Sequence, residues 1–210
     1  MIAAALSASG PQRGRRTLLR SALGVLLTGP ALLAGCAAGG PAPPSAVLPP
    51  DSVQGAGDPT RAAILNTAYA FNTPSALAGR PDEAARAAAN YEYLAVEIPS
   101  GPRWIGLSPL AGLELRRGLA ELRGAIGIAP NAPPQAVVDA LYAAFRALRG
   151  GDPAAARAAL NPPLFEPGGE ATLARLAQLP PMPRVGFAAS LTEREMNRQD
   201  RGPRLGPPFF

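Results

Sequence analysis

The stretch Asp82-Glu83-Ala84-Ala85-Arg86-Ala87-Ala88-Ala89-Asn90-Tyr91-Glu92-Tyr93-Leu94-Ala95-Val96-Glu97-Ile98 decides the fold. Ala84, Ala88, Tyr91, Ala95 and Ile98 step by 4, 3, 4 and 3 residues, the period of one helical face, while Glu83, Arg86, Asn90 and Glu97 fall on the other side. Tyr91 to Ile98 comes closer to a strand's alternation than any other stretch, but its step of 3.5 continues the helix begun at Asp82. A helix with one buried and one wet face is therefore expected over 82–98, stopped by Pro99.

The same step recurs outward from this segment, in Leu115, Leu119, Leu122 and Ile126 and in Val137, Leu141, Ala144 and Leu148. Start signals are local. Asp58-Pro59, Ser108-Pro109 and Asp152-Pro153 each put a capping side chain before a proline, whose missing N–H costs nothing in a first turn. Ser190-Leu191-Thr192-Glu193 has the form of a capping box. Gly127 and Gly150-Gly151 supply stops. Helices are expected near 59–72, 82–98, 109–126, 133–149, 153–160, 170–178 and 191–199, making an all-α domain over 58–200. Val137–Arg149 and Pro153–Leu160, joined through Gly150-Gly151-Asp152, resemble one unit of a tetratricopeptide-like solenoid. No 34-residue period continues it, so a compact bundle of six or seven short helices is expected instead of a repeat array.

Composition excludes a good deal of chemistry. The 210 residues contain no His, so a Ser-His-Asp or Cys-His relay and a His-ligated metal are out of reach. All 20 cations are Arg, which removes the phosphate-loop lysine and Schiff-base chemistry. The formal charge of +5 is local, since Arg13, Arg15, Arg16 and Arg20 precede the first acid, Asp51. The remainder carries 16 arginines against 15 acids, a balance that gives no reason to expect nucleic acid as a partner. Neither a cofactor nor a metal is expected.

The first 35 residues read as a cleaved signal peptide, with a charged start, an uncharged Ser21 to Gly35, and small residues at the end. Gly24, Gly29 and Pro30 interrupt the apolar run, which falls short of the roughly 20 residues a spanning helix needs. Leu33-Ala34-Gly35-Cys36 resembles a bacterial lipobox. That resemblance implies a diacylglyceryl group on the Cys36 thiol and cleavage before it. A single cysteine in the chain suits this reading, because it has no intramolecular disulfide partner. Arg15-Arg16-Thr17-Leu18-Leu19-Arg20 resembles the twin-arginine export motif, in which Arg15, Arg16, Leu18 and Leu19 carry the signal; Gly14 stands where Ser or Thr is more usual. Residues 36–57 hold nine Gly or Pro among the 21 positions after Cys36 and are expected to be a lipidated tether, reaching roughly 60 Å when extended. Ala37, in place of Asp, implies by the same resemblance the periplasmic face of an outer membrane ahead of the inner membrane.

The mature region shows no strong catalytic motif. Glu92 and Glu97 lie on different faces of one helix, whereas Glu114 and Glu121, seven apart, share a face. Paired carboxylates serve glycoside chemistry, so a hydrolase or lyase of an envelope polymer such as peptidoglycan is the alternative reading. The competing reading pairs these acids with arginines, Arg117 with Glu121 and Asp82 with Arg86 at i,i+4. Arg103 and Trp104, the chain's one Trp, sit in the loop 98–106 and suit a partner contact; in the competing reading Trp104 and Ile105 cap the end of the bundle. The Pro-rich tail 201–210 ends on Phe209 and Phe210, aromatics that suit a disordered end, packing against the body, or capture by a partner. The expected function is that of a lipid-anchored envelope protein that binds, scaffolds or assembles an unknown protein partner. Replacing Arg15 and Arg16 by Lys keeps the leader's charge but should abolish export, read as accumulation of uncut precursor; normal processing would point to the general secretory route.

Overall fold

The computed structural model describes residues 44–53 and 57–202. Seven α-helices are present among them and no strand: α1 Pro59–Asn72, α2 Pro81–Ser100, α3 Pro109–Ile126, α4 Pro134–Arg149, α5 Pro153–Ala159, α6 Gly169–Ala177 and α7 Pro183–Arg201. The all-α bundle expected from the periodicity is what forms. None of these helices is long and apolar enough to cross a membrane.

Helix α2 is the centre, packed against α1, α3, α4 and α6. Ala84, Ala85, Ala87, Ala88 and Ala89 cover more than half the circumference of its first half and are all buried, so neighbouring backbones approach closely there. The expected wet face is thus only partly wet. Glu83, Arg86 and Glu97 keep some exposure, but Asn90 is buried at 4% and Glu92 is completely enclosed. Nor does α2 stop at Ile98; it runs through Pro99 to Ser100, whose hydroxyl donates to the Val96 carbonyl at 2.6 Å. Gly118 on α3 is required by this packing, since a Cβ there would meet the Tyr91 hydroxyl of α2 at 2.0 Å.

The buried charge on Glu92 is met by Arg123 of α3, only 9% exposed. The guanidinium Nε and Nη2 both donate to the Glu92 carboxylate. Its remaining donors go to the carbonyls of Ala129 (3.4 Å), Pro130 (2.7 Å) and Ala132 (3.1 Å) in the α3–α4 connection. That connection starts at Gly127, which takes the left-handed φ of 89° that ends α3. An isolated antiparallel bridge, Ile128 with Phe165, joins it to the α5–α6 loop.

Helix α7 starts eight residues before its expected position at 191. Its cap is tertiary: Glu121 Oε2 of α3 accepts from the backbone N–H groups of Arg184 and Val185, both at 3.0 Å. The capping box is therefore not used. Ser190 accepts from Asn72 Nδ2 at 2.9 Å, and the Thr192 hydroxyl donates to the Ala188 carbonyl at 2.8 Å. The caps on α1, α3 and α5 are the expected ones, from Asp58, Ser108 and Asp152.

Part of the stretch expected to be a tether lies on the domain. Ala46 and Leu48 are buried; Gln135 of α4 accepts from the Val47 N–H at 2.7 Å and donates to its carbonyl at 3.1 Å; Arg146 pairs with Asp51 at 3.1 Å. Apolar side chains and a two-point backbone clamp hold this strap, which the Gly/Pro count alone does not reveal.

Two stability measurements check these interactions. Arg123→Ala should cost about 3–5 kcal/mol by leaving a buried carboxylate unpaired, and Glu92→Leu combined with Arg123→Met should cost less than that single change; urea unfolding followed by circular dichroism compares them. Burial opposes ionisation of Asp58, but the Arg103 guanidinium and the Arg61 and Thr60 amides outweigh it and hold the carboxyl below its usual range. A lowered folded-state pKa means stabilisation that is complete above the unfolded value of about 3.9 and lost as pH falls through the folded value. Asp58→Ala should therefore cost about 1 kcal/mol near neutrality, with the gap from wild type closing below about pH 4.

Candidate functional site

The four carboxylates singled out as candidate catalytic groups do not converge. Glu92 is locked to Arg123, Glu114 pairs with Arg117 at 2.7 Å, Glu121 caps α7, and Glu97 lies over Gly101 at the other end of α2. The expected i,i+4 pairs are replaced: Arg117 turns back to Glu114 because Glu121 is taken by the α7 amides, and Arg86 pairs with Glu83 while Asp82 faces Arg149 of α4 at 3.9 Å. Among the described residues, no cluster of three His, Cys, Asp or Glu could hold a metal ion.

The Arg103–Trp104 loop is built from both ends. Trp104 is 4% exposed and belongs to the core, while Arg103 stacks over its ring at 5.2 Å and pairs with Asp58. The next residue, Ile105, is 84% exposed, more so than any other large apolar side chain described. The loop is fastened to α7, with the Ser108 N–H donating to Glu195 at 3.1 Å and Arg198 donating to the Gly106 carbonyl at 3.2 Å. Around it lies a cavity of about 220 Å³ framed by Pro99, Trp104, Ile105, Pro109, Gly112 and Arg116.

Further openings lie elsewhere on the bundle, and two of them have walls built from its connections. A groove of about 430 Å³ runs between the α1–α2 and α6–α7 connections, lined by Phe71, Pro74, Leu77, Leu179, Pro180 and Met182. The Gly79 N–H donates to the Ala177 carbonyl at 2.9 Å and ties its two walls together. The lining is predominantly apolar, the character of a surface that takes a side chain or a segment of another molecule. Beneath the strap, a chamber of about 220 Å³ has a mixed lining, in which Ser52, Asn66, Arg86 and Asn90 stand beside Leu48, Val53 and Ala63. Asn90 accepts from the Tyr142 hydroxyl at 2.6 Å and donates to Asn66 at 3.2 Å. Burial pushes the Tyr142 phenol up to about 12, and also raises Tyr91 and Tyr93, so these hydroxyls act as neutral hydrogen-bonding groups.

The groove was not legible in the sequence as a site, although Leu179 and Met182 flanking Pro180-Pro181 do mark an apolar connection. Of the Trp104–Ile105 cap on the bundle, only Trp104 enters the core; Ile105 faces outward. The export residues Arg15, Arg16, Leu18 and Leu19, the lipobox Leu33, Ala34, Gly35 and Cys36, and the tail residues Phe209 and Phe210 all lie outside the described residues. Compared with known protein families, curated proteins and solved structures, the chain matches none.

Proposed function

We propose that this chain is a lipid-anchored protein of a bacterial envelope whose helical domain binds or helps to assemble another envelope protein. The observation that carries the reading is the apolar groove between the α1–α2 and α6–α7 connections, open to solvent and built for contact instead of proton transfer. The placement of the acids supports the same side of the choice. Glu92, Glu114 and Glu121 are engaged in pairing and capping, whereas hydrolysis of a glycan requires two carboxyl groups facing one bond.

The lipobox-like Leu33-Ala34-Gly35-Cys36 supplies the anchor in this reading, and the strap sets its length. With Val47 and Asp51 fastened to α4, eight residue-to-residue steps lead from Cys36 to the start of the strap at Pro44. At about 3.1 Å each they reach roughly 25 Å, less than half the span of a fully free tether. A tether of that length keeps the domain near the membrane surface, the periplasmic face of an outer membrane on this reading, where a membrane-resident partner is within reach.

Two measurements test the proposal. Cys36→Ala should leave an uncut precursor, end labelling by a fatty-acid analogue and release the protein from the membrane fraction; continued labelling overturns the anchor. A photoreactive residue at position 180 should crosslink one specific protein in native membranes, and Leu179→Asp should abolish that crosslink. Unchanged crosslinking in the Leu179→Asp variant overturns the groove as the binding surface.

A further inference from the structure

A cavity of about 450 Å³ lies along α3, where the α3–α4 connection and the α5–α6 loop meet it. Its floor is apolar, made by Leu119 and Ala120 of α3 and by Ile128 and Pro130 of the connection. Gly124 leaves it open. A Cβ at that position would meet no neighbouring group within 4 Å, so internal packing gives no reason for a glycine inside a helix, where alanine is the better residue. One end of the cavity is fixed by backbone, the Glu166 N–H donating to the Gly127 carbonyl and the Ala129 N–H to the Leu164 carbonyl, both at 2.9 Å.

The charges around this cavity do not cancel. Arg123 reaches its wall, but all five N–H groups of that guanidinium are engaged by Glu92 and by the carbonyls of Ala129, Pro130 and Ala132. Arg175 of α6 is different. Its Nη1 lies over Gly127, where a Cβ would come within 2.6 Å of it, and its guanidinium has no ion pair or hydrogen bond among the described residues. Arg116, farther back along α3, gives only its Nε to the Gly112 carbonyl at 3.4 Å. Against these two cations stands one acid, Glu166, which pairs with neither. Glu114 and Glu121, the other acids of α3, are spent on Arg117 and on the α7 amides. An apolar floor thus adjoins a rim with a net positive charge.

We propose that this cavity binds a small amphiphile with one acidic head, a phosphate or a carboxylate, and an apolar body. The head meets the Arg175 guanidinium, whose planar fork pairs with either oxyanion through two N–H groups. The body lies over Leu119, Ala120 and Ile128, in the space that Gly124 leaves. The volume falls within the range of about 300–1,000 Å³ that small-molecule sites occupy. This site is separate from the groove between the α1–α2 and α6–α7 connections and does not depend on what that groove binds.

Isothermal titration of the full chain with octyl phosphate and with octanoate, each below its micelle concentration, tests the proposal. At least one of them should bind at a single site, and about tenfold or more tighter than its four-carbon counterpart, since each methylene buried is worth about fourfold. Arg175→Gln should weaken that binding about tenfold or more by removing a charged hydrogen-bond donor. Gly124→Leu keeps every charge but fills the cavity; it should abolish binding while Tm holds or rises, because leucine is the better helix former. Glu166→Gln should tighten binding about two- to fivefold by removing a like charge. The leader arginines are common to every variant and cannot produce these differences. A preference for octyl phosphate points to a lipid headgroup and a preference for octanoate to a free fatty acid, and either upholds the site. Equal binding of inorganic phosphate or acetate, or of octyltrimethylammonium, overturns it. So do weaker binding in Glu166→Gln, binding that survives both Arg175→Gln and Gly124→Leu, and the lack of saturable binding by either amphiphile.

Discussion

The pairing of Glu92 with Arg123 is the constraint around which the bundle is arranged. A carboxylate with no exposure at all carries a desolvation penalty of several kcal/mol, which only close opposite charge and full hydrogen bonding offset. Arg123 meets that requirement by sending two donors to Glu92 and the rest to the carbonyls of Ala129, Pro130 and Ala132. Those carbonyls belong to an irregular connection, which the guanidinium thereby ties to α2. One side chain thus fixes the α3–α4 loop, the direction of α4 and the position of α3 on α2. The register of α4 on α2 is set with it, Tyr142 reaching Asn90.

This arrangement explains why α2 is so rich in alanine. Enclosing a charge at the centre of a small bundle requires neighbours on all sides, and neighbours on all sides require small side chains. Alanine also has the highest intrinsic helix propensity, so the central helix keeps its conformation while offering little bulk. Volume comes instead from a few large groups at its second half and from its partners: Tyr91 edge-on to Phe71 at 5.9 Å, Tyr142 edge-on to Phe145 at 6.2 Å, and Trp104 at the end of the bundle.

What was legible in the sequence divides along the same physical line. Asp58, Ser108 and Asp152 before proline locate the starts of α1, α3 and α5, because those caps act within one turn of chain. The start of α7 was hidden because its cap, Glu121, comes from a residue more than sixty positions away. Asn90 and Glu92 looked like surface residues because a charged or amide side chain normally is one; only the tertiary arrangement supplies the partners that let them be buried. The strap was hidden for a related reason. Gly/Pro content predicts low intrinsic order, but docking depends on Ala46, Leu48 and the Gln135 clamp, a feature of two distant segments together. Of the candidate surfaces, the loop 98–106 was visible as an oddity, but which of its residues faces outward was not.

Proline connects the architecture to the surfaces it leaves open. Six of the seven helices begin on proline: Pro59, Pro81, Pro109, Pro134, Pro153 and Pro183. At that position proline removes an N–H that would otherwise need a partner. The consequence reaches beyond the helices. A connection made of ordinary residues exposes amide groups that demand water or hydrogen-bonding neighbours, and a surface of that kind is polar. The walls of the 430 Å³ groove include Pro74, Pro180 and Pro181, and those of the cavity beside Ile105 include Pro99 and Pro109. With several amide donors absent, loops that would ordinarily be wet become apolar enough to receive an apolar side chain. In this bundle the broad helix faces are consumed by packing around α2, so the contact surfaces are made at the junctions, and proline is the residue that makes a junction apolar.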